Sequence, residues 1–132
     1  MRYMLVTHAV SHLIKKHSAM LARVTAVPMA SLCISSITEG ELLFGLAKRP
    51  AARQLQIVVQ EFLKRVAMLP WDSTVAAHYG RLRAELETKG KPLAPLDMLI
   101  GAHAESVGAV LVTSDKAFRQ LSALQIEDWT GD

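Results

Sequence analysis

MLVTHAV, residues 4–10, decides how the chain is read. The apolar start is typical of a strand buried on both faces, and the residues after it run on with helical character, so the stretch reads as a β-to-α junction. Such junctions often place a charged side chain at the carboxyl end of a strand, where α/β sheets bind their ligands. Here the strand runs out on Val6, Thr7 and His8 instead.

The same alternation continues along the chain. Residues 9–26 read as helix in one or two pieces, ending near Pro28, and SLCIS is a second buried strand. SITEGELLFGLAKR is helical up to Pro50, and AARQLQIVVQEFLKRVAML is a further helix leading into a short extended piece around LPW. Ser73 and Thr74 are placed to cap the helix VAAHYGRLRAELETKG, and the loop GKPLAP follows. LDMLIGAHAESVG is helical, AVLVT a strand, SDKAFRQL a short helix and LQIEDW a last short strand. Strands separated by helices imply right-handed crossovers, hence an α/β domain with a mostly parallel sheet of four to five strands.

Composition sets the outer limits. The 132 residues fit one domain, 1–132, with 51% apolar and 20% charged residues, which excludes a disordered chain. Cys33 is alone in an apolar run, which suits a buried thiol and points to the cytosol. The longest uncharged stretch, Val24 to Thr38, contains Pro28 and is too short to cross a bilayer. A net charge of +3 favours a polyanionic partner only weakly, and Lys64, Arg65, Arg81, Arg83, Lys89 and Lys91 read equally as solvated helix faces.

Acids follow three of the strands: Glu41 after SLCIS, Asp97 at the start of the helix after GKPLAP, and Asp115 after AVLVTS. Carboxylates remote in sequence but gathered at one sheet end repel each other unless a divalent cation sits among them, and an all-oxygen set suits Mg²⁺ or Mn²⁺ rather than zinc. Each also has a plain structural reading. Thr38 and Glu41 have the spacing of a capping box, Asp97 can answer a helix dipole, and Asp115 can cap SDKAF. Glu39, Glu127 and Asp128 read as solvated charge, and His78 and His103 as helix-face residues. The H-E-x-x-H zinc motif, nucleophile elbows and phosphate-binding glycine loops are absent from the sequence.

MRYMLVTHAVSHLIK, ISSITEGELLFGLAK, RAELETKGKPLAPLDMLIGAHA and VLVTSDKAF, closing on LQIEDW, resemble the successive motifs of PIN-domain ribonucleases, nearest to the VapC toxins of bacterial toxin–antitoxin pairs. The resemblance implies a PIN-like three-layer α/β/α domain and a Mg²⁺-dependent endoribonuclease acting on structured RNA, with the anticodon stem-loop of initiator tRNA as the target of similar toxins. It also implies a homodimer, a VapB antitoxin seated in the active-site groove, and operator DNA bound only through that antitoxin. Carried onto this chain, Glu41, Asp97 and Asp115 fall on the catalytic, metal-ligating acids, with Thr7 and Thr113 as supporting polar residues. The first motif departs from the pattern. Where the family has M-L-D-T-N, this chain reads MLVTH, so Val6 stands at the first metal-binding aspartate and His8 at an asparagine. Loss of that carboxylate implies impaired metal binding and catalysis. His8, two residues along an extended strand, is expected to share the face of Val6. A non-catalytic, antitoxin-binding protein is the alternative.

Overall fold

The computed structural model describes residues 1–91 and 93–131; Pro92, in the expected GKPLAP loop, lies outside them. Among the described residues, five parallel strands form the sheet: β1 (Tyr3–Leu5), β2 (Leu32–Ser35), β3 (Ala67–Leu69), β4 (Val110–Val112) and β5 (Ile126–Glu127). Their spatial order is β3-β2-β1-β4-β5. The chain steps outward from β1 to β3, then returns to the other side of β1. The reversal opens a crevice between the carboxyl ends of β1 and β4, the place where such sheets hold ligands. Register fixes its two lips, because Leu5 pairs with Val112 and Val6 N–H donates to Val112 O at 3.3 Å.

Among the described residues, six α-helices pack on the sheet. α1 (Thr7–Ile14) and α2 (Ser18–Thr25) follow β1, separated at Lys16, a non-glycine residue with φ 60°. α3 (Ser36–Ala47) and α4 (Arg53–Arg65) together form the crossover from β2 to β3. α5 (Ser73–Thr88) and α6 (Pro95–Val107) complete the set, and a 3₁₀ turn (Lys116–Gln120) precedes β5. Gly108, at φ 68°, closes α6 in the left-handed region that a side chain would resist. The core centres on Met4, Leu5, Ile34 and Leu111 of the sheet and on Phe118, Leu121 and Trp129, all essentially buried. Among the described residues, no helix is long and apolar enough to cross a membrane.

Three local expectations are corrected. The strand near LPW lies earlier, at Ala67–Leu69, and stops at Pro70, which has no N–H to extend a ladder. Asp72, rather than Ser73 or Thr74, caps α5, its Oδ1 accepting from Val75 N–H at 3.1 Å. Glu127 is not solvated charge. Its Oε1 accepts from Arg23 Nη2 at 2.9 Å and from Trp129 Nε1 at 2.8 Å, clamping β5 to α2. Cys33 is buried as expected, and burial raises its thiol to about 11, with Arg2 opposing slightly.

Candidate active site

A cavity of about 300 Å³ opens at the crevice between β1 and β4. Val6, Thr7, His8, Glu41, Asp97, Thr113 and Asp115 all line it. The three acids arrive on three different elements, and they feel each other. The Asp97 carboxyl is held above the usual carboxylate range, first by burial, then by the charges of Asp115 and Glu41, with His8 pulling the other way.

Each carboxylate is fixed differently. α3 begins at Ser36 with Ser35 as its cap, so the capping box expected at Thr38 and Glu41 does not form. Thr38 is instead buried inside the helix with its hydroxyl unpartnered. Glu41 turns into the crevice, where its Oε1 accepts from Thr7 Oγ1 at 2.6 Å. Asp97 sits in the first turn of α6, a helix entered through Pro95 with no side-chain cap, where the positive end of the helix dipole favours a negative group. Asp115 does act as a cap, its Oδ1 accepting from Ala117 N–H at 2.9 Å, while the hydroxyl of buried Thr113 accepts from Asp115 N–H at 3.0 Å.

Val6 is 6% exposed and occupies the cap position of α1, where it offers no side-chain acceptor. An aspartate there would supply both a helix cap and a carboxylate; valine supplies neither. The shared-face expectation for His8 fails, because β1 ends at Leu5 and residues from Thr7 onward are helical. Val6 faces inward and His8 stands exposed at the cavity mouth.

The donor atoms are of the oxygen type that a hard cation takes, yet the set is not closed. Among the described residues no three His, Cys, Asp or Glu side chains stand near enough to share one ion. With a hydrocarbon on one wall, Glu41 engaged by Thr7, and Asp115 engaged by Ala117 N–H, the residues as they stand do not fit a bound divalent metal. Bare carboxylates of this kind repel a phosphodiester and favour a cationic group.

Sequence reasoning missed one participant. His103, read as a helix-face residue, is fully buried and meets Ser35 Oγ at 2.7 Å. The available signal was its place within the apolar run MLIGAHA. His78 is half-buried and pairs with Glu105 at 3.0 Å, away from the acids.

A parallel sheet that reverses at β1 and β4, with acids from three elements around the crevice, defines an acid-lined α/β domain. The PIN domain family model matches residues 3–124. The tRNA(fMet)-specific endonuclease VapC of Shigella flexneri is 33% identical, covering 98% of this chain and 99% of that protein. The protein of the same name from Salmonella typhimurium is 36% identical, with 98% of both covered. The crystal structure of DNA-bound VapBC from Salmonella typhimurium matches with a TM-score of 0.90 at 37% identity, again over 98% of each chain. The chain belongs to the PIN domain family, in its VapC group.

Proposed function

We propose that this chain is a VapC-type ribonuclease toxin by descent whose catalysis is disabled or strongly weakened at Val6. The carrying observation is the buried Val6 side chain at the cap of α1, in the wall of the cavity lined by Glu41, Asp97 and Asp115. In this reading those three acids are the remnant of the catalytic and Mg²⁺- or Mn²⁺-binding set, with Thr7 and Thr113 bracing two of them. Losing a ligand charge costs more than the 10- to 100-fold typical of losing a residue that only orients a ligand. The substrate is structured RNA, with tRNA(fMet) taken from the names of the Shigella and Salmonella relatives. The partner is a VapB-type antitoxin in the cytoplasm, operator DNA is reached through it, and the toxin is a homodimer.

The test is Val6→Asp combined with His8→Asn. Mg²⁺-dependent cleavage of tRNA and toxicity on expression without antitoxin are the expected gains. A folded double variant that cleaves no RNA and harms no host overturns the ribonuclease assignment.

One observation favours a second reading, in which the present chain only binds its antitoxin. Leu43 and Phe44 on α3, Ile57 on α4 and Leu96 on α6 are large apolar side chains left 43%, 65%, 58% and 46% exposed. An apolar segment can cover such a surface, and the uncompensated carboxylates suit an arginine carried by it. Binding of a co-expressed cognate antitoxin that survives Val6→Asp but weakens with Phe44→Ala is the expected result. Failure of the unaltered chain to retain that antitoxin removes this reading.

A further inference from the structure

Behind the acids lies a second polar layer, closed off from solvent. His103 on α6 is fully buried, and its Nδ1 lies 2.7 Å from Ser35 Oγ. The same oxygen accepts from Ile37 N–H at 3.1 Å and so caps α3. Ser35 Oγ could accept a second bond, but among the described residues its own proton has no acceptor other than His103 Nδ1, so the hydroxyl donates to that nitrogen. The imidazole is therefore neutral with its hydrogen on Nε2, and burial keeps it so by holding His103 below the usual histidine range against an opposing pull from Asp72.

Nε2 has no partner and is sealed from solvent. His103 also lines the neighbouring cavity with Arg2, Asp72 and Ser106, but Nε2 itself is closed to solvent and has no partner there. Leucine would fill similar space without an unpaired donor, so packing alone does not account for a histidine. The bond to Ser35 does. It joins α6, which carries Asp97, to the first residues of α3, which carries Glu41, and the two helices pack directly. A parallel strap runs through Trp71, whose N–H donates to Ser36 Oγ and whose Nε1 donates to Leu99 O, both at 3.0 Å.

We propose that His103, acting through Ser35, is a positioning residue that locks the start of α3 against α6 and thereby sets the separation of Glu41 from Asp97. Its catalytic consequence rests on the nuclease reading above; its geometric part does not.

Two substitutions separate the roles. His103→Leu fills the space and removes the acceptor, whereas His103→Asn keeps an acceptor near the Nδ1 position. In the otherwise unaltered chain, hydrogen exchange of the Ile37 amide accelerates about tenfold in His103→Leu, relative to Leu5 and Val112 of the sheet, and returns in His103→Asn. Should His103→Leu not fold, His103→Gln replaces it, because its amide moves the acceptor toward the Nε2 position and loses the Ile37 protection. In the Val6→Asp, His8→Asn background, loss of the acceptor lowers kcat about tenfold with KM for RNA unchanged, and asparagine rescues it. Unchanged Ile37 exchange, or acceleration shared equally by the sheet amides, overturns the proposal. A background that cleaves no RNA counts against the nuclease reading alone, since the exchange comparison still decides the role of His103.

Discussion

Thr7 Oγ1 donates to Glu41 Oε1 at 2.6 Å, tying the first turn of α1 to α3 in the wall of the acid-lined cavity. The bond is half-buried and its acceptor is a carboxylate, which makes it stronger than a neutral pair. It also orients Glu41 without any cation, so it belongs to the stability of the metal-free chain.

Thr7→Val keeps the shape and deletes the donor. Hydrogen bonds to charged groups contribute about 1.5–3 kcal/mol, and partial exposure places this one near the lower end. Urea unfolding at neutral pH is expected to show a loss of about 1–2 kcal/mol, with Thr7→Ser close to the parent. Equal stability of the valine variant would remove this bond from the account.

Asp97 gives a pH dependence of unusual sign for a carboxylate. Its folded-state value is raised by burial, Asp115 and Glu41, so the folded chain holds the proton more tightly than the unfolded chain. The penalty is absent below the unfolded value and develops as pH rises through the raised folded value, so stability falls over that range. Asp97→Asn is therefore expected to be more stable than the parent at neutral pH, with the gap closing on the way down to about pH 3.5. Denaturation curves across that range decide it, and a constant or reversed gap contradicts the electrostatic account.

The sheet and its helices were legible because they depend on patterns local to each segment, apolar runs and helical spacing, while the gathering of Glu41, Asp97 and Asp115 in one cavity was legible through the motifs that carry the family resemblance. What escaped were features decided by a distant partner. The T-x-x-E spacing at Thr38 is that of a capping box, but Ser35 begins the helix earlier, and Thr7 from another element captures Glu41. Glu127 looks solvated until Arg23, far back in the chain, and Trp129 meet it. His103 looks like a helix-face residue because nothing near it in sequence reveals Ser35. His8 was placed by the period of a strand that stops at Leu5, and the switch to helical geometry at that residue turned it outward.

Gly101 shows how tightly the acid-bearing elements are fitted. A Cβ built there would meet Leu121 Cδ1 at 2.5 Å and carbons of the Phe118 ring at 3.5 and 3.6 Å. Leu121 and Phe118 are each 2% exposed, so neither has open space to move into. Phe118 lies in the turn that Asp115 caps and Leu121 closes that turn, which places this close approach under one wall of the cavity. Alanine in a helix is favoured over glycine by about 1 kcal/mol, while overpacking a filled core costs about 1–3 kcal/mol. At 2.5 Å the clash dominates, and Gly101→Ala is expected to lose up to about 2 kcal/mol. In a Leu121→Ala background the obstructing methyl is gone, only the helix preference remains, and the same substitution is expected to turn neutral or stabilising by about 0.5–1 kcal/mol. A double-mutant cycle by urea unfolding measures the reversal, and additive effects would mean that Leu121 does not set the limit on α6.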